Sequence, residues 1–461
     1  MPHRPPSIES PSPPLGGGGA GASRWRRWID LRPGELALVS SAAIYSFLAL
    51  ASWYVLRPIR DDMGVAGGVE NLAWLFSGTL VAMLATQPVY SALVARWPRG
   101  RFLPWVYRIF ALNLVLFFAA LTLAPAGAQV WIGRVFFVWT SVFNLFVVSV
   151  FWSFMADVFR TEQGRRIYGL LAAGGTLGSL AGGAVTAGLV EALGSAPLLL
   201  VSALLLEAAG ACARSLGRRA GAASPEQARA EREAIGGGPL AGLAHVAASP
   251  YLLGLCLFLF LYTIGSTFLY FLQVDIVAGA FTDRGARTAF FARIDLWVNA
   301  LTLLLQTGVT GRLLTRLGVG GTLTLLPALS IAGFTALGLA PSLPLLVVFL
   351  VARRAGNFAL ARPARELLFV PLAREDKYKA KNFIDTVVYR VGDQAGAWTS
   401  SGLAAAGLGV GAVAAVATPL AALWLALALW LGRRHARLAR EREAAAAIAA
   451  ARDRSLQGES R

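Results

Sequence analysis

The residues of this chain whose types and spacing could do chemistry are the ionisable groups inside long apolar runs. Arg353 and Arg354 lie about ten residues into one run. Arg390 and Asp393 lie at a similar depth in the next, and Arg293 and Asp295 fall within the first turns of an earlier one. Arg57 and Arg60 stand at the end of the first. An ionised side chain in hydrocarbon is costly, so each of these must face a cavity or a partner. Six arginines against two aspartates make a cavity that attracts an anion, and the planar guanidinium fork suits phosphate or carboxylate. Local pairing is the competing reading. Arg390 and Asp393 are i, i+3 neighbours on one helix face, and Arg353 and Arg354 point about 100° apart, so only one of them is expected to face a shared cavity.

The elements that carry these groups follow from composition. The chain has 461 residues, 56% apolar and 15% charged, against about 25% charged in a soluble domain. With a mean hydropathy of +0.60, this excludes a soluble enzyme and points to membrane helices. The net charge of +17 does not imply a nucleic-acid partner, because the basic residues sit in short loops between apolar runs. Cys212 and Cys256 lie in separate apolar runs and form no C-x-x-C pair, and no disulfide is expected. His3, His245 and His435 fall in tails or at run ends, so no metal site or cofactor is expected. No nucleophile–base constellation and no phosphate-binding G-x-x-x-x-G-K-[ST] is present, which argues against an enzyme and against an ATP-driven pump.

Runs long enough to cross about 30 Å of hydrocarbon fall at 36–56, 72–95, 102–123, 130–156, 167–190 and 195–213, and again at 250–274, 288–310, 319–340, 343–361, 383–406 and 408–432. The expected organisation is a disordered cytoplasmic tail at 1–34, a six-helix half at 35–214, and a polar cytoplasmic linker at 215–249. A second six-helix half follows at 250–432, and a cytoplasmic tail at 433–461. Loops at 96–101, 160–166 and 374–381 are rich in Arg and Lys, whereas 124–129, 191–195, 341–342 and 407 carry none. The positive-inside rule then puts both termini in the cytoplasm, in a cell inner membrane, with Arg57, Arg60, Arg284 and Arg287 as outward exceptions. An offset of 214 places Arg160 on Arg374, Glu162 on Asp376, Arg165 on Lys379, Gly178 on Gly392 and Gly182 on Gly396. The expected fold is therefore all-α and integral to the membrane, with 12 transmembrane helices as two six-helix halves of major-facilitator type and the substrate path between them.

Gly174, Gly178 and Gly182, and in the second half Gly392, Gly396 and Ser400, put small residues on one helix face, which allows close helix contact. Trp139, Trp297, Tyr389 and Trp398 fall within spans and could stack on a base, with packing or interface anchoring as the alternative. Arg108, Arg134 and Glu207 lie near run ends, where snorkelling accounts for them.

Two long motifs and a short phrase carry a family resemblance. They are Tyr54-Val55-Leu56-Arg57-Pro58-Ile59-Arg60-Asp61-Asp62-Met63-Gly64, the stretch from Lys377 to Arg390 (KYKAKNFIDTVVYR), and Phe151-Trp152-Ser153-Phe154. In these the chain resembles the ATP/ADP translocase family of bacteria and plastids. The resemblance implies a major-facilitator-like fold and nucleotide exchange, using charged residues in the first, fourth, seventh and eleventh spans. The first-span basic position corresponds to Arg60. The fourth-span acidic position falls at Thr140, the seventh-span one near Gln273, and the eleventh-span basic position at Asp393. Three of these four depart from the family's charge, which leaves the cargo open between a nucleotide and another anion.

The reading is a secondary active transporter in the lipid bilayer that moves an anionic small molecule, such as ATP or ADP, by alternating access. Arg60, Arg353 and Arg390 are the expected anion contacts, with Arg57 and Asp393 next. Pro58 is expected to break the end of the first span and so turn Arg57 and Arg60 inward. The alternatives are a proton-coupled facilitator of another solute, with Asp295 or Asp393 carrying the proton, and a non-transporting membrane sensor acting through the 433–461 tail.

Overall fold

The computed structural model describes residues 36–96, 99–159, 161–219, 246, 249–372 and 384–459. The tail at 1–34, most of the 215–249 linker and the lysine-bearing loop at 377–381 lie outside these residues. The described residues form twelve helical segments and no strand. They are α1 (Leu36–Ala66), α2 (Leu72–Arg96), α3 (Arg99–Leu123), α4 (Ala126–Val158), α5 (Thr161–Leu193), α6 (Ser195–Arg219), α7 (Pro250–Ala280), α8 (Arg284–Gly308), α9 (Thr310–Leu339), α10 (Leu343–Leu368), α11 (Ile384–Val388, continuing as Tyr389–Ala405) and α12 (Val410–Glu459). Ten are long and apolar enough to cross a bilayer, and α2 adds a shorter apolar stretch at Leu72–Thr86. Helix ends alternate between two faces of the bundle. The face holding the α1–α2 turn at 67–71 is called end A below, and the opposite face end B. At end A the reversals use Gly68, Gly194 and Gly407, with φ of 88°, 77° and 75°, values that suit a residue without Cβ.

The first span is longer than its uncharged run. α1 continues unbroken through Pro58 to Ala66, so Arg57 and Arg60 turn inward by helical periodicity and not by a break at proline. A run measured to its first charge stops at Leu56. The helix continues because the charges beyond that point have partners, Arg57, Asp61 and Asp62 in the other half of the bundle and Arg60 in its own. α12 likewise runs past Arg433 to Glu459 without interruption.

Small residues set the tightest packing. A Cβ on Gly174 would fall 2.7 Å from the carbonyl oxygen of Ala43, on Gly178 2.1 Å from that of Phe47, and on Gly182 2.4 Å from that of Ala51. Each four-residue step of α5 thus meets a four-residue step of α1, and Thr186 continues the series by donating to the Val55 carbonyl at 3.2 Å. In the second half Gly392 and Gly396 of α11 meet Thr263 and Thr267 of α7, where an added Cβ would fall 2.9 Å from the threonine Cβ in each case. The glycines that the internal repeat superposes therefore perform the same packing in both halves, as close helix contact in a bilayer requires.

α10 departs from regular geometry. Pro363 cannot donate a backbone hydrogen bond, and the five residues Asn357–Ala361 widen into a π turn just before it. The loosened carbonyls are satisfied from neighbouring helices, Ala359 by the Thr310 hydroxyl at 2.9 Å and Phe358 by the Gln306 amide at 3.4 Å.

Gly178→Ala is expected to lower the melting temperature in detergent, since its Cβ meets backbone, an overpacking worth about 1–3 kcal/mol. Gly183→Ala, whose nearest neighbour is the flexible Leu296 side chain at 3.4 Å, is expected to melt like the parent. Equal melting curves by tryptophan fluorescence would remove the close contact from the packing account.

Candidate functional site

Between the halves lies a cavity of about 350 Å³, within the range of small-molecule sites. It is bounded by α1, α2 and α4 on one side and α7, α10 and α11 on the other. Five arginines reach its wall, Arg57, Arg60, Arg353, Arg354 and Arg390, and two carboxylates, Asp61 and Asp393.

Each guanidinium is held differently. Arg57 of α1 and Arg354 of α10 both donate to one oxygen of Asp295 in α8, and the Arg354 bond is 2.8 Å long. Asp295 is 2% exposed and its second carboxylate oxygen has no partner among the described residues. Arg60 lies over the Phe137 ring at 3.8 Å and donates to Asp61 at 3.1 Å and to the Ser141 hydroxyl at 3.3 Å. Arg390 donates to Asp393 at 3.2 Å, the i, i+3 pair expected from spacing, and Asp393 also accepts from Thr267 at 3.3 Å. Arg353 is 3% exposed and has no carboxylate within ion-pair distance among the described residues. It donates to the hydroxyls of Ser330 and Ser266 at 3.0 Å each and to the Tyr262 carbonyl at 3.3 Å. These neutral acceptors orient the guanidinium and leave its charge uncompensated.

Arg353 and Arg354 both reach the wall, contrary to the expectation that only one would. Their 100° separation straddles the cavity, and each half of the fork finds separate acceptors. Arg293 does not reach it and pairs with Glu191 at 3.0 Å on an exposed surface.

At end A the halves are sealed by charge and by aromatic contact. Asp62, fully buried, accepts from Arg287 at 2.5 Å and from Arg284 at 3.3 Å. These two arginines are therefore no true exceptions to loop charge: they belong to α8 and neutralise a carboxylate of α1. Tyr270 donates to Asp61 at 3.2 Å. Ser77 of α2 bridges Gln394 at 2.9 Å and Trp398 at 3.2 Å, and Trp74 packs edge-on to Trp398 at 4.9 Å. Among the described residues, every hydrogen bond and ion pair between the halves lies from mid-bundle to end A, so the cavity opens toward end B.

Three of the four positions carried over from the family, Arg60, Gln273 and Asp393, converge on this cavity. Thr140 does not. It is fully buried and its hydroxyl donates to the Phe136 carbonyl within its own helix, while the adjacent Ser141 reaches the wall. Of the aromatic candidates only Tyr389 lines the cavity. Trp139 packs among Phe110, Phe117, Phe136 and Phe143, Trp297 is 66% exposed, and Trp398 belongs to the seal. Arg134 caps the α1–α2 turn by donating to the Gly67 carbonyl at 3.1 Å, where snorkelling had been expected. Asp61, Tyr270 and the uncharged Asn144 and Asn357 are wall or floor residues that sequence reasoning missed. The four-residue recurrence from Arg57 to Asp61 was the available signal for one of them.

The fold is shared with solved transporters. It resembles the nucleoside transporter NupG, with a TM-score of 0.62 and 15% identity over 86% of this chain and 98% of that one. It also resembles a bacterial homologue of the iron transporter ferroportin in an inward-facing state, at 0.61 and 12% over 86% and 99%. A third likeness is to an auto-inhibited peptide transporter of the POT family, at 0.56 and 15% over 87% and 97%. No curated protein sequence matches the chain. Fold and apolar spans together define a multi-pass membrane protein with the fold of these major-facilitator-type transporters. Within that class, residues 241–436 match the family described as the TLC ATP/ADP transporter. This stretch contains the 377–390 motif and bears out the resemblance drawn from it.

Asp62→Asn is expected to strand Arg287 in the interface and to destabilise the sealed form by about 3 kcal/mol, the scale for breaking a buried pair. A cysteine at Ser77, in a background lacking Cys212 and Cys256, should then react faster with a charged maleimide. Unchanged labelling would mean the pair does not hold end A shut.

Proposed function

We propose that this chain is a secondary transporter that carries nucleotides, or closely similar phosphorylated anions, across an inner membrane by rocking its two halves about the central cavity. The observation that carries the reading is Arg353, a buried cation on the cavity wall whose charge is matched by no carboxylate among the described residues. An anionic cargo supplies that charge, and the TLC ATP/ADP transporter match over 241–436 supports a nucleotide as the anion.

Alternating access follows from the charge layout. To open end A, Asp62 must leave Arg284 and Arg287, and Asp295 must leave Arg57. A phosphate group among Arg57, Arg60 and Arg354 offers these cations a replacement acceptor, so a loaded cavity crosses between states more readily than an empty one. Such a dependence on cargo is what makes an exchanger. The helix ends at Arg96, Arg99 and Thr161 lie at end B, and the arginine-rich sequence around them supports end B as the cytoplasmic face, with both termini there.

A second reading, proton-coupled transport through Asp393, is favoured by that residue's place on the wall beside Thr267. Asp295 is taken up instead by Arg57 and Arg354, which both donate to it.

Labelled ATP uptake is to be measured in proteoliposomes that are empty or preloaded with ADP. Uptake should require internal ADP and fall at least tenfold in Arg353→Ala, with Arg353→Lys keeping part of it and all proteins showing equal melting curves. Uptake into empty vesicles driven by external acid would favour the Asp393 reading. Full uptake in folded Arg353→Ala would remove Arg353 from the site.

A further inference from the structure

The cavity wall is layered along the bundle axis. Level with Arg57, Arg60, Arg353, Arg354 and Arg390 it is cationic. Toward end A it is closed by Asp61, which is engaged by Arg60 and by the Tyr270 hydroxyl. Toward end B it changes to rings and amides.

The helix directions fix this second layer. Trp53 lies four residues on the end B side of Arg57, Asn144 three from Ser141, Tyr262 four from Ser266, and Asn357 three from Arg354, and all four line the cavity. At 1.5 Å per residue these offsets put them about 5 Å nearer the mouth than the arginines. Phe358 follows Asn357, and Tyr389 stands beside Arg390. The side-chain amides of Asn144 and Asn357 have no hydrogen-bond partner among the described residues, although amides in a narrow cleft normally find one. Asn357 also opens the π turn of α10, a distortion that re-aims side chains and recurs at functional sites.

Resting on the nucleotide reading above, we infer that Asn144 and Asn357, with the Phe358 and Tyr389 rings, form a base-holding subsite. The nucleotide lies phosphates-first, its phosphoryl groups on the arginine layer and its base toward end B. An asparagine amide offers one donor and one acceptor side by side and so matches a base edge that does the same, such as the N6–N7 edge of an aminopurine. An edge with two acceptors, such as the O6–N7 edge of guanine, is matched by arginine, and no arginine stands among the subsite residues named here. The subsite therefore prefers adenine presented by its N6–N7 edge, and the rings add stacking that any base can use.

The test measures binding of ATP, GTP and pyrophosphate to the purified full chain in detergent, by competition against a labelled nucleotide. The parent should bind ATP more tightly than GTP and more tightly than pyrophosphate. Asn357→Ala and Asn144→Ala should each cut the ATP-to-pyrophosphate affinity ratio at least fivefold and bring ATP and GTP together, whereas Arg353→Ala should weaken all three in parallel. Phe358→Leu, which keeps an apolar side chain, should lower the ratio without changing the preference between ATP and GTP. Unchanged ratios in both asparagine variants, with the parent still favouring ATP, would overturn the subsite and leave the nucleotide reading standing. A parent that binds pyrophosphate as well as ATP would also overturn the subsite. A parent that binds none of the three would overturn the nucleotide reading itself.

Discussion

A guanidinium inside a bilayer must find a carboxylate, a set of neutral acceptors or water, and the architecture of this chain follows from how its arginines meet that demand. Arg57, Arg284 and Arg287 find carboxylates in the opposite half, at Asp295 and Asp62. Arg353 finds serines and a carbonyl within its own half. The first arrangement ties solvation of charge to closure of end A. The second leaves a positive potential on the cavity wall that no internal group cancels. Gate and site are thus two answers to one electrostatic constraint, on the same few helices.

Small residues make the two halves separate bodies. Where α5 lies on α1, and α11 on α7, glycines and threonines bring the helices into their closest contact. Between the halves the joints are of another kind. They combine ion pairs and a serine bridge with aromatic contacts of Trp74 on Trp398 and of Phe76 on Tyr270 and Phe271, within an apolar cluster shared by both halves. A bundle that rocks needs rigidity inside each half and reversible polarity between them, and the distribution of glycine and charge provides both. The π turns that begin α11 and interrupt α10 lie on helices that line the cavity, where local unwinding can be tolerated because neighbouring side chains satisfy the loosened carbonyls.

Much of this was legible in the sequence because lipid imposes strong and local rules. Apolar run length gave the helices, the glycine spacing gave the tight faces, and the offset of 214 gave the correspondence between Gly178 and Gly392. Charge inside apolar runs singled out Arg57, Arg60, Arg353, Arg390 and Asp393, all of which reach the cavity wall. Each of these signals lies within one helix, where hydrogen bonding and burial depend on neighbours three or four residues away.

Pairing across the interface was decided only by tertiary structure. Asp295 serves Arg57 from 238 positions away and Asp62 serves Arg287 from 225 away, and no local pattern announces either partner. Nothing in sequence distinguishes Arg353, left without a carboxylate, from Arg354 beside it, which has one. That difference arises because two side chains about 100° apart on one helix face different neighbours, and those neighbours belong to helices that the sequence does not order in space. The uncharged residues Asn144 and Asn357 were invisible for the same reason, since an amide costs little in an apolar run and becomes a candidate reader of cargo only where the fold leaves it facing an open cavity.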